Sequence, residues 1–178
     1  HYVKIIVMKR AFTLIELLVV ISIISLLSSV VFASLQSART NANDIARLQT
    51  VTTIIKSLEM YYAINGNYPS PVNPNAVVCA GNFESNGCGY NGGFSEDSNV
   101  NSAMGTFLPS INYSEPITFT GIDTNQYTWE NVTYNCTDPT CTDYRILYML
   151  EELTNCGIGQ RSNPEQSLDT VSCFYVST

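Results

Sequence analysis

The sequence predicts an α+β fold: one long N-terminal helix, apolar and transmembrane in its first half, amphipathic in its second, packed on a small antiparallel β-sheet. Three observations carry this. No proline or glycine occurs from Phe12 until Gly66, so nothing interrupts a helix there. The apolar pattern changes midway, from a continuous run to a stripe. Strand-prone segments and all six cysteines lie beyond Asn67.

Taken in order, Met8–Lys9–Arg10–Ala11 is a short basic leader, and the residues before Met8 read as lying upstream of a natural start (residues 1–7, within a leader of 1–11). Basic residues beside an apolar span favour the cytoplasmic side, which sends the C-terminal part outward. Residues 12–35 would extend about 36 Å as a helix, enough to cross a bilayer. Residues 36–66 continue that helix. There Ala38, Ala42, Ile45, Leu48, Val51, Ile55, Leu58 and Tyr62 step by three and four, with Arg39, Asp44, Arg47, Lys56 and Glu59 mostly off the stripe. Asn65–Gly66 is the stop. The striped half is expected to cover the domain that follows, residues 67–178.

That domain opens as a loop rich in Pro, Gly, Asn and Ser over 67–114, with a short helix expected near Asn101–Phe107. Strands are expected at Pro116–Thr120, Gln126–Tyr134, Tyr144–Leu150 and Val171–Val176, giving a sheet of three or four strands. Cys79, Cys88, Cys136, Cys141, Cys156 and Cys173 are an even set in a region read as translocated, which points to disulfides. Six cysteines allow 15 pairings. Proximity alone favours Cys79–Cys88, Cys136–Cys141 and Cys156–Cys173. Zinc fits poorly, because no histidine lies near and the Cys136–Cys141 gap is too wide.

Charge narrows the function classes. Residues 67–178 hold twelve acids against Arg145 and Arg161, a net of −10, so a nucleic-acid partner is not expected. An enzyme is not expected either. The single histidine is His1, no nucleophile elbow or phosphate loop is present, and Glu151 and Glu152 as strand neighbours point to opposite faces. No cofactor is implied and no metal site is assigned. Asp138 with Asp143, or Glu151 with Glu152, could offer oxygens to calcium, but solvated acidic surface explains them as well. Asn112, Asn131 and Asn135 stand in glycosylation triplets, frequent by chance in an Asn- and Thr-rich chain.

One residue does not fit a simple span. Glu16 sits in the sequence Ala11-Phe12-Thr13-Leu14-Ile15-Glu16-Leu17-Leu18, and no charge follows it from Leu17 to Leu35. A carboxylate inside an apolar span costs a few kcal/mol and marks a function with a specific partner. An ordinary signal peptide cut after Ala33 gains nothing from such an acid.

This octapeptide, behind a basic leader and ahead of a long apolar helix, resembles the processing motif of type IV pilins and type II secretion pseudopilins. The helix exit, Tyr61-Tyr62 followed by Asn65-Gly66-Asn67-Tyr68-Pro69, is similar to these families too. The resemblance covers residues 8–69. It implies a type IV pilin-like fold, cleavage between Ala11 and Phe12 by prepilin peptidase, and N-methylation of Phe12. It further implies that Glu16 neutralises the amino terminus of a neighbouring Phe12 within a helical filament. Subunits would wait in the inner membrane, meet an assembly platform there, and then form an extracellular pilus for attachment or motility. Two departures stand out: Ala11 occupies a position most often held by glycine, and no proline interrupts the apolar helix, leaving Ser28–Ser29 as the place where it could loosen. The region of Asn163–Thr170 lacks the acidic, glycine-rich pattern typical of major pseudopilins, and a Cys156–Cys173 bridge would resemble the C-terminal disulfide loop of pilins. The expectation is therefore a pilus subunit. The alternatives are a pseudopilin of a secretion piston and a secreted disulfide-rich binding domain.

Overall fold

A computed structural model of the chain describes residues 12–73, 76–80, 88–90, 93–108, 117–120, 126–130, 132–136, 140–151, 155–161 and 171–177. They fall into two compact units, one ending at Ala38 and one starting at Arg39. Helix α1 (Leu14–Asn65) contributes to both.

In the first unit every described side chain is exposed except Ser28, which is half-buried. The helix runs through Ser28–Ser29 without a break. Its serines are satisfied within the helix: Ser22, Ser25, Ser29 and Ser34 donate to the carbonyls of Val19, Ile21, Leu26 and Val30 at 2.7–3.1 Å. With their hydroxyls occupied, they do not interrupt an apolar surface. By length and composition this helix can cross a membrane.

The second unit begins with the rest of α1, which ends where Gly66 adopts φ +76°, a left-handed turn that glycine takes at no steric cost. The remaining elements are β1 (Val78–Cys79), β2 (Gly89–Tyr90), α2 (Ser98–Gly105), β3 (Ile117–Thr120), β4 (Gln126–Glu130), β5 (Thr133–Cys136), β6 (Tyr144–Leu150), β7 (Gln160–Arg161) and β8 (Val171–Val176). They form an antiparallel five-stranded sheet in the order β1-β5-β6-β8-β7 and an antiparallel three-stranded sheet in the order β2-β4-β3. The α+β fold is the one the sequence predicts, a long helix with antiparallel sheet, though with two sheets instead of one. The reason is local. The segment expected as one strand, Gln126–Tyr134, divides: 126–130 pair with β2 and β3, whereas 133–136 pair with β1 and β6. Val132, which breaks the alternation, is fully buried at the division.

Helix α2 starts at Ser98, three residues ahead of the expected Asn101. Asp97 explains the shift: its carboxylate accepts from the N–H groups of Asn99 and Val100 at 3.0 and 3.1 Å, an N-cap. Its second oxygen accepts from Val72 N–H at 2.8 Å, which ties the proline-rich segment to the helix start.

The buried face of α1 differs from the predicted stripe. Val51, Ile55 and Leu58 are buried as expected and Leu48 packs partly against the core, but Ala42, Ile45 and Tyr62 are exposed. In their place Asp44, Arg47, Ile54 and Ser57 are fully buried. The charges are tolerated because they are paired. Arg47 donates to Asp44 at 2.8 Å and to Glu151 at 3.0 Å, and the Asp44 carboxylate accepts from Glu151 N–H at 2.9 and 3.1 Å. This network ties α1 to the end of β6. Around Val51, Ile54 and Leu58 the core gathers Val78, Val100, Met104, Tyr134, Ile146 and Leu150.

At the helix exit, Tyr68 stacks on Tyr62 and meets Tyr144 edge-on, with ring centroids 4.7 and 4.5 Å apart. The hydroxyls of Tyr68 and Tyr144 both donate to Glu59, at 3.1 Å. Tyr134 donates to the Pro69 carbonyl at 2.8 Å. Loss of solvation on burial, then the nearby Glu59 carboxylate, pushes the Tyr68 hydroxyl up to about 12. Burial pushes Tyr144 and Tyr134 up as well.

Candidate functional site

The sequence singles out Ala11, Phe12 and Glu16. Ala11 and the rest of the leader lie outside the described residues. Phe12 is 83% exposed, and its backbone precedes the helix. Thr13 is where the helix begins. Its carbonyl accepts the first helical bond, from Leu17 N–H at 3.3 Å, and its hydroxyl oxygen accepts from Glu16 N–H at 3.3 Å. The Glu16 carboxylate returns the interaction: Oε2 accepts from both the backbone N–H and the hydroxyl of Thr13, each at 2.8 Å. Reciprocal bonds of this kind are a capping box, which satisfies donors that a helix start otherwise leaves open.

This gives Glu16 a partner within its own chain, one that sequence reasoning missed. The signal was present, since Thr13-x-x-Glu16 ahead of an apolar run is the capping-box spacing. Two properties of the box bear on chemistry. It uses one oxygen, leaving Oε1 without a hydrogen bond among the described residues. It also supplies dipoles and no countercharge, so burial of Glu16 in a dry environment still calls for a cation. A cation placed at Oε1 can be held without opening the box.

The cysteines are joined as neighbours in sequence. Cys79 pairs with Cys88, Cys136 with Cys141 and Cys156 with Cys173, with Cα atoms 5.5, 5.2 and 5.6 Å apart, within ordinary disulfide reach. The Cys136–Cys141 bridge sits beside the helix exit, where the Cys141 carbonyl accepts from Tyr68 N–H at 2.8 Å. At the Cys156–Cys173 bridge, Tyr148 donates its hydroxyl to the Cys156 carbonyl. Gly159 lies against that hydroxyl and the Phe174 carbonyl, so that a Cβ there would clash with both.

Of the acids considered for calcium, Asp138 and Glu152 lie outside the described residues, Asp143 is exposed, and Glu151 belongs to the Asp44–Arg47 network. Among the described residues no group of three potential ligands converges. Of the glycosylation triplets, Asn112 and Asn131 lie outside the described residues, and Asn135 is half-buried with its amide donating to the Ala76 carbonyl at 3.1 Å.

Residues 7–32 match the family described as the prokaryotic N-terminal methylation motif. The chain is 40% identical over 72 residues to the type IV wide pilus major component PilA4 of Thermus thermophilus, a match covering 40% of this chain and 53% of that protein. The chain thus spans about half the length of this relative. No solved structure matches.

Proposed function

We propose that the chain is a type IV pilin, a structural subunit of a type IV pilus, a reading supported by its methylation motif over residues 7–32 and its likeness to a pilus component. Residues 1–11 are a leader removed after Ala11 by a prepilin peptidase that also methylates Phe12. Residues 12–35 anchor the subunit in the inner membrane and afterwards pack in the filament core. Residues 36–66 carry the helix into the acidic head, residues 67–178, which the three disulfides brace outside the cell. An inner-membrane platform moves the subunit from membrane to filament, for attachment or motility. It is not an enzyme.

One observation carries this reading: over residues 14–35 the helix is apolar and exposed apart from half-buried Ser28, and its one charge there, Glu16, is held at the first turn with Oε1 free of hydrogen bonds among the described residues. A membrane anchor alone has no use for that carboxylate. A filament core has one, because cleavage after Ala11 creates an amino group on the Phe12 of another copy. Cation and carboxylate then enter the dry core as a pair.

Intact-mass measurement of filaments sheared from the producing cells tests the proposal. The expected chain begins at Phe12 and carries one added methyl group. A secreted, soluble chain beginning at Ser34 would overturn it. A gene neighbourhood of secretion components, with filaments confined to the periplasm, would replace the pilus with a secretion pseudopilus.

A further inference from the structure

Five tyrosines gather at the end of α1, and the filament reading uses none of them. Tyr62 and Tyr68 are stacked, with ring centroids 4.7 Å apart and planes 29° from parallel. Tyr144 meets Tyr68 edge-on at 4.5 Å, and Tyr134 and Tyr175 lie 5.8 and 5.9 Å beyond it. Exposure falls along this path: Tyr62 is 39% exposed, Tyr68 5%, and Tyr144 and Tyr134 are fully buried. One carboxylate serves the cluster. Both Glu59 oxygens accept from the Tyr68 hydroxyl and Oε1 also accepts from Tyr144, all at 3.1 Å.

We propose that Tyr62 and Tyr68 form an oxidative modification site, at which a one-electron oxidant, such as a haem peroxidase with peroxide, joins the two rings as dityrosine. Each tyrosine loses one electron and one phenolic proton. The two phenoxyl radicals couple through ring carbons ortho to oxygen, and the hydrogens on those carbons shift to the oxygens, restoring two phenols. The net change is a loss of two electrons and two protons, which one peroxide takes up as it becomes two waters. Geometry selects the pair. Tyr62 is the most exposed ring of the cluster, the one an oxidant reaches, and Tyr68 is the ring stacked on it. Proton loss is the demanding part at Tyr68. Burial pushes its hydroxyl up to about 12, so at neutral pH it is not ionised before the electron leaves. Glu59 stands within reach of direct proton transfer, at 3.1 Å. Tyr62 gives its proton to water. The product staples the last turn of α1, across Gly66, to the segment that follows, and so fixes the helix exit covalently. None of this requires a filament, and it stands apart from that reading.

The test oxidises the full chain, purified in detergent and kept dilute, with photogenerated tris(bipyridyl)ruthenium(III) and persulfate. Reduction and cleavage after glutamate then isolate residues 60–84, which hold Tyr61, Tyr62 and Tyr68. The expected product is a monomer whose 60–84 peptide has lost two hydrogens and shows dityrosine fluorescence. Tyr62→Phe should abolish it and still fold, because the ring stays and the hydroxyl it removes makes no hydrogen bond among the described residues. Tyr61→Phe should leave the product unchanged. In Glu59→Gln the fluorescence of the monomer should rise at least about tenfold more slowly. Cross-linked dimers in place of the intrachain product, a product that survives Tyr62→Phe, or an unchanged rate in Glu59→Gln would overturn the proposal.

Discussion

The two halves of α1 solve opposite problems with the same secondary structure. Before Ala38 the helix has apolar side chains on every face and no core of its own to bury them in. From Arg39 onward it has a core, yet places Asp44 and Arg47 inside it and leaves Ile45, Met60 and Ile64 outside. In the first half a single carboxylate, Glu16, is capped by Thr13 and has no countercharge among the described residues. In the second, the buried charges are matched within the fold by Glu151. A charge in an apolar setting thus marks an external partner only where the chain itself leaves it unneutralised.

This contrast can be broken experimentally, and the largest effect is expected at Asp44. Asp44→Ala removes the partner of a fully buried guanidinium and should destabilise the head by about 3–5 kcal/mol, read by denaturant unfolding of the detergent-solubilised chain. A loss under 1 kcal/mol would mean that the network is not what holds α1 to β6. Glu16→Ala should leave unfolding unchanged and instead lower filament yield at least about tenfold, at normal membrane abundance. Normal filaments from that variant would remove the pairing argument.

Alkaline pH should separate the halves without mutation. The hydroxyls of Tyr68 and Tyr148 are both pushed up to about 12, chiefly by burial, against about 10 in an open chain. Between these values the folded head binds more protons than the unfolded one. Its stability is therefore complete below pH 10 and falls as pH rises towards 12, while α1 before Ala38 has no tyrosine to respond. Tyrosinate absorbance rising together with loss of the tertiary signal is expected, and ionisation at pH 10 with the head intact would contradict it. The smallest effect is expected from Thr13→Val, which keeps the shape and removes the hydroxyl. The backbone bond to Glu16 survives, so the loss should be about 1 kcal/mol of helix-start stability, seen as faster amide exchange at residues 14–16. Unchanged exchange would show that the box contributes nothing.

Much of this was legible in the sequence, and the parts that were not share a cause. The long helix, its stop at Gly66 and the strands at 144–150 and 171–176 follow from local signals: absent breakers, a glycine, β-branched and aromatic runs. The buried face of α1 did not follow, because periodicity counts Asp44 and Arg47 as solvent residues. Only a residue about a hundred positions away, Glu151, makes them core. The division of Gln126–Tyr134 was hidden for the same reason, since each half is defined by its partners and not by its composition. At the N-terminal segment the acid stood out but its cap did not, although Thr13 is only three residues away. An anomaly of hydropathy is conspicuous, and a satisfied hydrogen bond is not.

The three disulfides carry one more consequence. They span 9, 5 and 17 residues, and none encloses or crosses another. A chain delivered from its N-terminal end can therefore close each bridge before the next pair of cysteines arrives. At each step the two thiols present are the correct pair, and the 15 possible pairings shrink to a sequence with no choices in it. A head exported from its N-terminal end would be oxidised in that order, without any isomerisation to undo a wrong bond.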